Sequence, residues 1–261
     1  MSDQPPGRRD SLRERDGAPV ATIQKCLKDL ESSDFRVRTD SLTELEKLGQ
    51  PAAEAIVESL MKQSPRLELM SSYSDALEEI GRPSVSVIAN ALSHIREVRR
   101  PEHAHLVETF VESLARIGGR REAQTIVEQL PKLDAAIRRN GNMVLVDCCE
   151  KAKVEIHRVL AELNVKDAVD DLVAMLGDGR RRVRLGIVEA VEELGDRRAL
   201  VPLLRLYRLE EDVSFSGANQ IERAFVKIAR REKASAGDAE FKDLPAEERT
   251  TLEKFVPRVK H

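Results

Sequence analysis

The chain has no tryptophan, and aromatic residues make up 3% of it. Large rings therefore cannot fill its core, and Leu, Ile, Val and Ala must. Cysteine is scarce too: Cys26, Cys148 and Cys149 are odd in number and two are adjacent, which excludes a disulfide framework. They read as buried thiols in a reducing compartment. No stretch reaches the roughly 18–20 apolar residues of a membrane span, and the first twenty residues carry charges without the apolar segment of a secretory signal. The expected location is the cytoplasm. A formal charge of −3 lacks the strongly basic balance of a nucleic-acid-binding domain.

Catalytic signatures are missing as well. There is no Gly-rich phosphate loop, no Gly-x-Ser-x-Gly, no Cys-x-x-Cys and no His-Glu dipeptide. Cys148-Cys149 with His157 two turns on does not have metal-ligand spacing, and His103-x-His105 does not put both rings on one helical face. No catalytic residue, metal or cofactor is expected. What remains is a composition that is 41% hydrophobic and 34% charged, long enough for a sizeable core.

That hydrophobic content is periodic. Five segments align: EKLGQPAAEAIVESL from Glu46, EEIGRPSVSVIANAL from Glu78, ARIGGRREAQTIVEQL from Ala115, AELNVKDAVDDLVAML from Ala161 and EELGDRRALVPLLRLY from Glu192. Each runs from an apolar anchor through Gly or Asn into a second apolar-periodic stretch. This is a helix closed by a residue that tolerates positive φ, followed by another helix. The anchors Leu48, Ile80, Ile117, Leu163, Leu194 and a weaker Ile228 are spaced by 32, 37, 46, 31 and 34 residues. Before each anchor after the first comes an apolar i, i+4, i+7 stripe, as in Tyr73-Leu77-Ile80 and Phe110-Leu114-Ile117; the first copy has Leu42, Leu45 and Leu48. Such a stripe marks an amphipathic helix, and no window alternates as a strand does. The fold class predicted is all-α, an α-solenoid of about six two-helix repeats.

The pattern resembles HEAT-like repeats of the short bacterial type, including those named after phycobilisome lyases. The likeness rests on the segments just quoted and on the helix starts Asp34-Phe35-Arg36-Val37-Arg38 and Gly179-Arg180-Arg181-Arg182-Val183-Arg184, and covers about residues 34–232. The resemblance implies that the second helix of each repeat lines a concave face. Two enzyme families of similar architecture, di-iron hydroxylases and alkylpurine DNA glycosylases, are disfavoured. The first needs His-Glu pairs, and the second has Trp-rich clefts and a basic concave surface.

The domain reading is a disordered tail over 1–18, a solenoid over 19–232 opening with a helix near Val20–Leu30, and a linker and capping helix over 233–261. The 46-residue step demands an insertion within 133–154. It reads as an extra helix turn or as a lengthened helix broken near Asn140-Gly141-Asn142, and either as a plain loop or as part of a binding face.

Two surfaces are candidates. Aligned second helices give rows that include Glu54, Glu58, Asn90, Glu128, Asp170, Arg205 and Arg208, a groove drifting from acidic to basic that suits a charged, elongated protein partner. Arg180, Arg181, Arg182, Arg184, Arg197 and Arg198 form a basic patch, read as solvated or structural, as a site for an acidic partner, or as a nucleic-acid contact. The expected function is a non-catalytic protein–protein interaction scaffold. The alternatives are nucleic-acid binding through the Arg180–Arg184 patch and an accessory subunit of a lyase or modification enzyme.

Overall fold

The structure, a computed structural model, describes residues 10–62, 67–139, 141–177, 183–211 and 215–255. Among them there is no strand, and the chain is all-α. Contacts divide it into two compact units meeting in sequence at Glu122 and Ala123.

The first unit holds α1 (Asp10–Asp29), α2 (Phe35–Leu48), α3 (Gln50–Lys62), α4 (Leu67–Ile80), α5 (Arg82–His94) and α6 (Pro101–Ile117). Helices α2, α4 and α6 pack side by side as one layer, and α3 and α5 pair as the other, with α1 closing the open end against α2 and α3. Each pair is one repeat. The helix α1 begins inside the segment expected to be a tail; residues 1–9 lie outside the described residues. The sequence stripes are the core: Leu45, Leu77, Phe110 and Leu114 are fully buried.

The second unit contains α7 (Ala123–Val127), α8 (Leu130–Arg139), α9 (Met143–Glu162), α10 (Val169–Gly177), α11 (Leu185–Leu194), α12 (Leu200–Glu211), α13 (Phe215–Arg231) and α14 (Ala246–Phe255). Here α9, α11 and α13 form one layer, and α10, α12 and α14 the other. The long repeat step has its cause in α8. The expected second helix stops after a short α7, and a complete additional helix follows before α9, against which it packs. Asn142 caps α9, its side chain accepting from the amides of Val144 (3.0 Å) and Leu145 (3.4 Å), so the turn signal is the start of a helix as well as a break. The last pair, α13 and α14, departs from the others, as a terminal repeat must. Leu252 and Phe255 of the short capping helix are buried as the sequence expects, while Val256 lies outside the described residues.

The anchor rule holds in detail at four junctions. Gly49, Gly81, Gly119 and Asn164 have φ of +61°, +71°, +65° and +52°; at the third copy the left-handed position is the second glycine. Gly195 departs from it, with φ −51° and ψ 156°. Its glycine answers a lack of space instead: a Cβ there would lie 2.5 Å from the Val191 carbonyl oxygen and 3.0 Å from Ile228 Cδ1. That carbonyl region is also where α13 grips α11. The Arg231 guanidinium donates to the carbonyls of Glu193 (2.9 Å) and Gly195 at the end of α11, satisfying orphan acceptors at a helix C-terminus. Arg223 and Lys227 donate to the nearly buried Glu192 (2.9 and 3.5 Å).

Because Leu114 is completely buried in the last turn of α6, Leu114→Ala is expected to destabilise the first unit by about 2–5 kcal/mol. Urea unfolding followed by circular dichroism checks this, and an unchanged transition would contradict the repeat frame.

Candidate functional site

The added helix α8 creates the most elaborate polar arrangement in the chain. Lys153 and His157 lie four residues apart on α9 and so share one face. That face is turned inward: Lys153 is 3% exposed and His157 not at all. A buried ammonium needs compensation by charge and hydrogen bonds. Lys153 Nζ obtains both, donating to Asp134 Oδ1 on α8 (2.6 Å) and to Asp171 on α10 (3.0 Å). One side chain thus ties the inserted helix and the second helix of the repeat to α9. His157 Nε2 completes the group, 2.6 Å from Asp171 Oδ2, while its Nδ1 is buried without a partner among the described residues.

These contacts set the charge states. Burial lowers the His157 pKa from its ordinary 6.5, against the opposing pull of the Asp171 bond, so the ring is neutral and donates from Nε2. The orphaned Nδ1 agrees, because a neutral ring leaves there only an unmet acceptor rather than an unmet charged donor. Burial works to raise the Asp171 carboxyl, but the His157 hydrogen bond and the Lys153 ammonium outweigh it and hold the pKa at about 2.

The cluster forms the base of a cleft of about 270 Å³. From α8 come Asp134, Ile137 and Arg138, from α9 Glu150 and Lys153, from α10 Asp171, Ala174 and Met175, and from the approach to α11 Val183 and Arg184. Apolar side chains and stems make the walls, and charges lie at the base and rim. Arg184 at the rim is held by Asp147 and, at 3.7 Å, by Glu150. The cysteines are not reactive neighbours. Burial first, then Cys148 and Glu150, push the Cys149 thiol up to about 11, and burial raises Cys26 as well. Among the described residues no group of three His, Cys, Asp or Glu is placed to hold a metal, and no helix is long and apolar enough to cross a membrane.

The residues expected from the sequence are dispersed. In the first unit Glu54 and Glu58 are exposed on α3, where Glu54 accepts from Gln50 (2.8 Å) and Glu58 pairs with Lys62, and Asn90 is exposed on the neighbouring α5. In the second unit Glu128 falls in the turn after α7 rather than on a helix, because α7 ends at Val127. Asp170 is bound by Arg198. Arg205 and Arg208 are engaged by the capping helix: Arg205 Nε lies 3.1 Å from Glu248 and Arg208 pairs with Glu247. Of the basic patch, Arg180, Arg181 and Arg182 lie outside the described residues. The others are paired: Arg184 as above, Arg197 with Asp238 (2.8 Å) and Glu240 (3.2 Å), Arg198 with Asp170 and Asp196. Sequence reasoning weighed His157 only as a metal ligand beside the cysteines and passed over Lys153. The available signal was a Lys and a His at i, i+4 inside an otherwise apolar helix stripe.

Residues 142–214, spanning α9 to α12, match the family model described as HEAT repeats. With stacked helix pairs on either side of that stretch, the chain is a helical-repeat protein whose residues 142–214 are similar to HEAT repeats. No curated protein and no solved structure matches it.

Proposed function

We propose that this helical-repeat protein is a non-catalytic protein–protein interaction module whose recognition point is the cleft framed by α8, α9 and α10. One observation carries the reading: α8, a whole helix interrupting the repeat, is held against its neighbours by a buried lysine and lines a cleft with apolar side chains in its wall. A repeat that merely needed a longer connection would have no use for a buried charge. The chemistry at the cleft supports binding over catalysis. Lys153 is committed to two carboxylates, the His157 ring is sealed in the core, and the nearby Cys149 thiol is suppressed by burial. Groups so occupied fix a surface in place but do not deliver a proton or a nucleophile. Of the arginines on which a nucleic-acid role would rest, the described ones, Arg184, Arg197 and Arg198, are paired with acids of the chain itself.

The test is site-specific photo-crosslinking in lysate of the source cells. A benzophenone amino acid replaces Ala174 in the cleft or Glu46 on exposed α2, with and without nuclease. A discrete protein adduct from position 174, absent from position 46 and resistant to nuclease, is expected. Equal labelling from both positions, or adducts that disappear with nuclease, would overturn the reading.

A further inference from the structure

The side chains that line the cleft carry three positive and three negative charges, but these are not evenly spread. At the base, Asp134 and Asp171 face the single ammonium of Lys153, and His157, neutral in the fold, adds nothing. The base is therefore one positive charge short. Asp171 spends both oxygens on Lys153 and His157. Asp134 spends only Oδ1, on Lys153, and the carboxylate, partly open to the cleft, retains Oδ2 as an acceptor. At the rim Arg184 is occupied by Asp147 and Glu150. Among the described residues the remaining lining cation is Arg138, exposed and one helical turn after Asp134 on α8. Between base and rim stand Ile137, Ala174, Met175 and Val183, which suit the aliphatic stem of a long side chain whose head is charged. A volume of about 270 Å³ falls just below the range of pockets for drug-sized ligands, roughly 300–1,000 Å³, and admits one such side chain.

We infer that the cleft receives a single basic side chain, an arginine or lysine presented by a protein partner, whose cationic head meets Asp134 at the base while its stem lies on Ile137, Ala174 and Met175. The source of the side chain rests on the interaction-module reading; the chemistry of the cleft does not. Arg138, an exposed cation one turn from Asp134, opposes the guest by like charge. An acidic guest is excluded from the base because it would meet two carboxylates against one ammonium. Charge-assisted pairing in a partly closed site is the strong form of the hydrogen bond, and discrimination by sign follows from it.

The test uses the full chain and four probes in calorimetric titrations: N-acetyl-arginine methylamide, its glutamate and norleucine counterparts, and free arginine. Saturable binding of the arginine methylamide, with neither the glutamate nor the norleucine derivative binding, is expected. Asp134→Asn keeps an oxygen for Lys153 but removes the charge, and should weaken the arginine methylamide about tenfold or more. Arg138→Ala, at an exposed position that does not endanger folding, should strengthen it. Absence of saturable binding, preference for the glutamate derivative, or equal affinity in both variants would overturn the inference. Free arginine binding about tenfold tighter than its capped form would overturn the protein-borne source. Failure of the probes leaves the crosslinking result standing, so the two readings fall separately.

Discussion

Lys153→Met is expected to destabilise the second unit by about 1–3 kcal/mol at neutral pH, the cost of leaving two half-buried carboxylates without their buried partner. The loss should shrink on acidification, and the sign follows from proton binding. In the native chain the His157 pKa is depressed below 6.5 and that of Asp171 is held at about 2. Both groups therefore bind fewer protons folded than unfolded. Their contributions to stability are complete above the ordinary values and are lost as pH falls, first below 6.5 for His157 and then from 3.8 toward 2 for Asp171. Without the ammonium, Asp171 draws a proton onto His157 or onto itself, so the folded variant binds more protons and suffers less from acid. Urea unfolding of both proteins between pH 8 and pH 5 should show the gap narrowing as pH falls. A gap that is constant or widens would mean that Lys153 contributes through packing alone. Adding Asp134→Asn and Asp171→Asn to Lys153→Met should recover most of the loss, because an uncharged set of similar shape no longer buries an unpaired charge.

The buried triad also explains why the inserted helix has one position. Hydrophobic contact between α8 and α9 is tolerant of sliding by a turn, since neighbouring turns of an amphipathic helix offer similar apolar surfaces. A salt bridge is not tolerant: Asp134 reaches Lys153 Nζ at one register and leaves it unpaired at the next. Burying the pair brings little net stability against an apolar alternative, and its return is a fixed place for Ile137 and Arg138, the α8 residues that line the cleft.

Repeats, stripes and turns were legible in the sequence because they are local. Leu77 and Ile80, or Phe110 and Leu114, lie within one helix, and a period of 3.6 residues shows without knowledge of the neighbours. The Gly and Asn anchors were legible for the same reason, with the exception of Gly195, whose glycine is required by the close Val191 carbonyl and by Ile228 of the next layer helix rather than by a positive φ. The cleft was not legible because its members pair across 19 and 18 residues, through a helix that the repeat frame does not contain. Arg205 and Arg208 were read as available cations because their partners, Glu248 and Glu247, lie 43 and 39 residues on, in a capping helix whose apolar face was visible and whose acidic face had no assigned neighbour. Charge pairing in a stacked repeat links different repeats, and a single-repeat alignment shows the charges without the pairs.

The second large effect is expected at the C-terminal end, where the scarce aromatic residues are concentrated. Phe225 on α13 is 1% exposed and meets Phe255 with ring centroids 5.2 Å apart and Phe241 at 6.5 Å. Tyr207 on α12 meets Phe255 edge-on at 4.8 Å. Four of the chain's eight Phe and Tyr residues thus gather at one end, while the core elsewhere is mostly Leu, Ile, Val and Ala. The reason lies in the irregular last repeat. Between α13 and the short α14 the chain takes an extended connection through Phe241, and wide rings bridge a gap that a regular pair of helices would close with aliphatic side chains. Phe225→Ala is therefore expected to cost about 3–5 kcal/mol, since the rings of Phe241 and Phe255 both lose their contact with it. Neighbour-coupled repeats confine such a loss to the adjoining elements. Hydrogen exchange should show protection falling in α12, α13 and α14, with α2 to α6 unchanged. Exchange that rises equally in α2 to α6 would show that the two units unfold as one, and the neighbour-coupled account would fail.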